Sequence, residues 1–270
     1  MNIEQLSREY ELEPTVLEVV SLTEKESGKE IDFELHVNLD VAGITKIARV
    51  RMPKHIMRIK ESTPARVNHI IVHECGHVLR MMRAEPTERV VPSSNTETSI
   101  KALFALKDEL LALPEEAREE IFELWSTGLI NQLINLPVDV RIERWIYRDY
   151  PAFREIQNKS LAVDVQSCLL GLSDKIRKNT IESIFNKSNA LVYAYLRGIT
   201  PVTGEDYIEE FKKFQDIKKT GRKLYRYLET EDEGFAQDVK TINAWAEVLE
   251  IKSWFTWIGF EDVPESYYET

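Results

Sequence analysis

From Ile31 to Asp40 the chain alternates strictly. Ile31, Phe33, Leu35, Val37 and Leu39 are apolar, and Asp32, Glu34, His36, Asn38 and Asp40 between them are polar. A period of two marks a strand with one buried and one wet face. Ala42-Gly43 reads as a turn into a second strand, Ile44–Met52, and the β-branched run Thr15–Thr23 reads as an earlier strand joined through Glu26-Ser27-Gly28-Lys29. These predict a small antiparallel N-terminal sheet. From Pro64 onward the pattern is helical. Pro64 suits a first turn, with Ser62 or Thr63 as cap, and the helix it opens should run to about Arg83. Residues 84–98 are polar and interrupted by proline, which predicts a mobile loop. Further helices are expected at about 99–112, 115–134, 137–149, 152–171, 174–197, 204–229 and 232–251. The aromatic tail 253–270 reads as a strap packed on the helical part, with a substrate-recognition surface as the alternative. The expected class is α+β, with residues 1–150 holding the sheet and the site and residues 151–270 a helical region packed on them.

Composition narrows the function. The 270 residues are 43% hydrophobic and 30% charged, which fits a globular chain with a real core. A net charge of −11 argues against a nucleic-acid backbone or an anionic membrane as the main partner. The acidic opening MNIEQLSREYELE has no apolar stretch of the kind a secretory leader needs, and no run is long enough to span a bilayer. The cysteines, Cys75 and Cys168, are too few for a disulfide framework, so a cytoplasmic location is expected.

The chemistry concentrates in Val72-His73-Glu74-Cys75-Gly76-His77. Residues four apart share a helix face, so His73 and His77 can reach one metal ion, and Glu74 points to the adjacent sector. Zinc takes neutral imidazole nitrogens and leaves a position for water, which a carboxylate can deprotonate. The window Ile70–Leu79 holds no charged residue besides these, as a buried helix beneath a cleft requires. Gly76 lowers helix propensity by roughly 1 kcal/mol, which suggests a backbone segment approaching closely there. Cys75 faces elsewhere on the helix. His36 and His55 read as surface histidines; His69, four before His73, could line the site but reads more readily as a helix-surface residue.

A catalytic zinc usually has a third protein ligand. No histidine follows His77, and the one later cysteine, Cys168, is remote, so a carboxylate is the best candidate. Asp139 and Glu143 lie four apart among apolar Val138, Val140, Ile142, Trp145 and Ile146, after the helix-start signal Asn135-Pro137. Two carboxylates on a buried face need a cation opposite them. One can bind metal while the other orients an imidazole. Glu97, Asp108, Glu109, Glu119, Glu120 and Glu123 sit in more charged surroundings and are weaker candidates.

These two windows resemble the zincin metallopeptidases, and the downstream helical carboxylate is similar to the gluzincin branch. The resemblance implies zinc bound by His73 and His77, Glu74 as general base, and a peptide or protein substrate aligned on an edge strand, for which Ile44–Met52 is in the right place. It also implies an acidic ligand followed four residues later by a supporting acid. Asp139 and Glu143 match that spacing with the usual residue types exchanged, so either can be the ligand; the longer reach of Glu143 favours it. Tyr147 or Tyr150 is a candidate hydrogen-bond donor to the oxyanion. The alternative is a catalytically inactive zincin-like module that binds or regulates a protein partner.

Overall fold

The computed structural model describes residues 1–268. The elements, in chain order, are α1 (Ile3–Glu9), α2 (Pro14–Ser27), β1 (Glu30–His36), β2 (Gly43–Lys46), β3 (Lys54–Lys60), α3 (Val67–Met82), β4 (Val90–Ser93), α4 (Thr96–Leu110), α5 (Arg118–Asp149), α6 (Arg154–Leu170), α7 (Asp174–Lys178), α8 (Glu182–Thr203), α9 (Gln215–Tyr225), α10 (Phe235–Val248) and β5 (Thr256–Gly259). The class is α+β and mostly helical. Among the described residues no helix is long and apolar enough to cross a membrane.

The chain forms two compact units that interleave in sequence. Residues 1–90, 142–162 and 259–270 make the first, and residues 91–141 and 163–258 the second. The chain passes between them at 90/91, 141/142, 162/163 and 258/259, where the sequence suggested one division after residue 150.

In the first unit a three-stranded sheet has the order β1-β3-β2, with β1 parallel and β2 antiparallel to β3. The sheet is therefore mixed rather than the expected antiparallel meander. The expected strand Thr15–Thr23 is part of helix α2. Val16, Val19, Val20 and Thr23 are its buried residues, a spacing of three and four that puts them on one helical face. Pro14 starts this helix and Gly28, at φ 69°, ends it in the left-handed conformation. The expected strand Ile44–Met52 shortens to β2, and the missing third strand is β3, whose His55, Met57 and Ile59 point into the core. His55 thus corrects the surface reading.

His55 carries a pH dependence. Its Nδ1 accepts the Ala48 N–H at 2.9 Å, so in the neutral ring the proton sits on Nε2, which is buried with no partner among the described residues. Burial, with a smaller contribution from the Lys29 charge, lowers its pKa from 6.5 to about 4. Below pH 6.5 the unfolded chain takes up a proton that the folded chain refuses until about pH 4. Stability is therefore complete above this window and falls as pH drops through it. The gap corresponds to about 3 kcal/mol. Urea unfolding at pH 7 and at pH 4 should show this loss, and His55→Leu should flatten it.

The second unit is built around α8, whose run Ala190–Leu196 is buried throughout. Leu133 and Val140 of α5, Ile242 and Trp245 of α10, and Trp254 of the tail pack in the same core. Gly221 of α9 lets that helix lie on the Tyr193 ring, since a Cβ there would come within 2.4 Å of it. A buried guanidinium, Arg141, is held by Asp238 at 3.0 Å and by the Thr241 hydroxyl at 2.9 Å. The expected start at residue 137 is absent, because α5 runs unbroken through Pro137. Proline removes one N–H from the helical ladder, a local loss that burial of Leu133 and Val140 offsets. The expected helix 174–197 divides into α7 and α8. The expected loop 84–98 contains β4, which pairs with β5.

Candidate metal centre

Helix α3 buries Ile70, Ile71, Cys75, Val78 and Leu79. The four-residue spacing of His69, His73 and His77 sets them in one stripe. The Nε2 atoms of His73 and His77 lie 3.2 Å apart. On its other side His73 Nδ1 is 2.6 Å from Glu143 Oε1, and His69 Nε2 is 3.0 Å from Glu143 Oε2. The Gln157 amide donates to Glu143 Oε2 at 2.6 Å and to the Glu143 carbonyl at 2.8 Å. Glu143 is 1% exposed. Its carboxylate therefore receives two imidazoles and an amide in a dry setting.

The protonation pattern follows. Burial alone would raise the Glu143 carboxyl, but the His69 charge and the hydrogen bonds from both imidazoles outweigh it and hold the group far below the usual carboxylate range. An ionised carboxylate only accepts, so His73 carries its proton on Nδ1 and His69 on Nε2. In its neutral form His73 would turn a lone pair on Nε2 toward His77. Two ring nitrogens at 3.2 Å need a proton or a metal cation between them. The donor set, two imidazoles beside carboxylates, is one that zinc accepts. His69, His73 and Glu143 are themselves close enough to hold an ion, although the Nδ1 of His73 is already committed there.

Glu74 lies in the neighbouring sector, as its position after His73 requires. It faces β2: a Cβ built on Gly43 would stand 3.5 Å from the Glu74 Cγ and Oε1, and only 2.4 Å from Ile70 Cγ2. Glycine thus lets the edge strand lie directly on α3 beside Glu74. Gly76 serves a related purpose. A Cβ there would come within 2.7 Å of Ile142 Cγ2, so a side chain of α5, rather than the expected backbone segment, uses the space. This close approach seats Glu143, the next residue, against the histidines.

Asp139 is one turn before Glu143 on the same unbroken helix and so shares its face. Tyr147 is one turn past Glu143, with its ring 4.1 Å from the Arg154 guanidinium. Its backbone carbonyl accepts from Arg154 Nε at 2.8 Å. Cys75 faces α2, where Thr23 hydrogen-bonds it, and burial pushes its thiol up to about 12. Of the weaker carboxylates, Glu97 pairs with Lys101 at 2.6 Å and Glu109 accepts from the Ser183 N–H at 3.0 Å.

Two groups around Glu143 go beyond the preferred sequence reading. His69 is buried rather than on the helix surface, and its spacing from His73 makes it a candidate to line the site. Gln157 has no such signal, being one polar residue among several on α6. No protein-family model matches this chain, and neither does any curated protein or solved structure.

Proposed function

We propose that this protein is a zinc-dependent peptidase, with the metal held by Nε2 of His73 and of His77 and by a carboxylate of α5. The observation that carries the reading is the 3.2 Å approach of these two nitrogens while the far side of His73 is locked on Glu143. The Glu143 oxygens are engaged by three donors, which favours Asp139 as the carboxylate ligand and gives Glu143 the orienting role. This reverses the preference that side-chain reach alone suggested. A zinc ion bound there supplies a Lewis acid for the scissile carbonyl and lowers the pKa of water toward about 7.

The chain's own residues do the rest. Glu143 fixes the His73 tautomer and ring plane. Glu74 accepts the proton of the attacking water on its carboxylate and passes it to the leaving amide nitrogen. The exposed edge of β2 beside Glu74 offers backbone partners to an extended peptide. Free thiols at Cys75 and Cys168 fit a reducing compartment such as the cytoplasm.

The test is metal analysis of untagged protein together with a peptide library read by mass spectrometry. One equivalent of zinc and cleavage that a chelator stops and zinc restores are expected. Protein that takes up no zinc would sink the reading. Stoichiometric zinc with no cleavage of any peptide would leave the inactive binding module in its place.

A further inference from the structure

Strand β2 is the edge of its sheet, and its backbone alternates in direction. The Lys60 N–H donates to the Ala42 carbonyl at 2.9 Å, and the register pairs Ile44 with Arg58 and Lys46 with Ile56. In an antiparallel ladder, hydrogen-bonded pairs alternate with open ones. Ala42, Ile44 and Lys46 therefore turn their amides and carbonyls toward β3, and Gly43, Thr45 and Ile47 turn theirs to the free side. Among the described residues nothing hydrogen-bonds the outward backbone of Gly43 or Thr45. The Ile47 carbonyl differs: it accepts from Arg49 Nη1 at 3.0 Å and from the Tyr267 hydroxyl at 3.3 Å.

Tyr267 belongs to the C-terminal turn Glu265–Tyr268, and this turn is anchored on the segment that follows β2. The Arg49 guanidinium, 4% exposed, lies 3.5 Å from the Phe260 ring centre and 4.6 Å from that of Tyr267. Lys46 Nζ stands 4.6 Å from the same Tyr267 ring. Arg51 pairs with Glu265 at 2.8 Å, and the Val50 N–H donates to Glu261 at 3.0 Å. The Lys29 ammonium steadies the same segment through the carbonyls of Arg49, Val50 and Met52.

We propose that the C-terminal turn closes the Ile47 end of the β2 edge and limits how far a bound peptide extends along it. The inference rests on the peptidase reading, with β2 as the substrate platform. An antiparallel peptide runs its amino end toward Ile47 and its carboxyl end toward Gly43, where Glu74 stands. Gly43 to Ile47 spans about 13 Å, room for about four residues on the amino side of the scissile bond. The substrate class is then peptides cut close to a free amino terminus. Tyr267 acts as a specificity-determining residue that touches no reacting atom.

The experiment compares two peptides sharing one cleavable sequence, preceded by about two or about ten residues. Wild type is expected to prefer the short one in kcat/KM by about tenfold or more. Tyr267→Ala should erase most of that preference and leave the short peptide's kcat/KM near the wild-type value, while Tyr267→Phe, which keeps the ring over the Ile47 end, should retain it. Equal cleavage of both peptides by wild type, or an unchanged preference in Tyr267→Ala, would overturn the proposal. Amide exchange supplies a readout that needs no catalysis. In Glu74→Gln protein loaded with zinc, the short peptide should slow exchange at Gly43 and Thr45 and the long one should not. If neither peptide is cut, this protection separates a failed peptidase reading from a failed closure. Its absence with both peptides overturns the closure, as does equal protection by both.

Discussion

Glu74→Gln is expected to retain a full equivalent of zinc and to lose peptide cleavage by about 10²–10⁴-fold, the usual contribution of a positioned general base. The substitution is nearly isosteric, so the packing of the side chain against Gly43 should survive. What disappears is the ability to take a proton. Glu74 sits on α3 between the two histidines in sequence, but its side chain is directed toward β2 and away from the Glu143 network. Fold and metal content should therefore be insensitive to the change. Metal analysis, a melting curve and a cleavage assay on the same sample check all three. Cleavage at the wild-type rate would remove Glu74 from the mechanism, and loss of zinc would give it a different role.

The second large effect separates the two α5 carboxylates. Glu143→Ala should cost about 3–5 kcal/mol of folding stability, the range for removing one partner of a buried charged network. The loss has identifiable sources. His69 Nε2–H and His73 Nδ1–H would lose their acceptor beside a buried helix face, and the Gln157 amide would keep only the backbone carbonyl of residue 143. Zinc affinity should fall by about 10–100-fold, because His73 would no longer be held in one tautomer and ring plane. Asp139→Ala should show the opposite balance: a smaller loss of stability without metal, and a larger loss of zinc affinity than Glu143→Ala. Unfolding of the metal-free variants and zinc competition against a chelator give the two orders. If Glu143→Ala lost more zinc affinity than Asp139→Ala, Glu143 would be the ligand.

Much of the candidate site was legible because it is local. His73, Glu74 and His77 depend only on the helical period, and so does the pairing of Asp139 with Glu143. The separate roles proposed for them were not legible, because that proposal rests on His69 and Gln157, which reach Glu143 across 74 and 14 residues of sequence. The fold shows the same division. Strand β1 alternates cleanly and was found. The run Thr15–Thr23 was misread because β-branched residues suggest a strand, while its spacing of three and four specifies α2. Strand β3 escaped because one of its core positions is His55, a residue scored as polar that is buried by virtue of its bond to the Ala48 N–H. Pro137 beside Asn135 has the form of a helix start, but tertiary packing carries α5 through it.

Cys75 has a bearing on which metals α3 can select. It lies two residues from each histidine, which at 3.6 residues per turn is about 180° round the helix from the midpoint between them. Its thiol is turned into the contact with α2 and stays protonated. The face that His73 and His77 present thus offers nitrogen and no sulfur, although a cysteine sits between them in the sequence. Thiophilic cations such as copper(I) or cadmium gain nothing from that cysteine. The phase of the helix, rather than the residue composition of the motif, sets the hardness of the ligands a metal ion would meet.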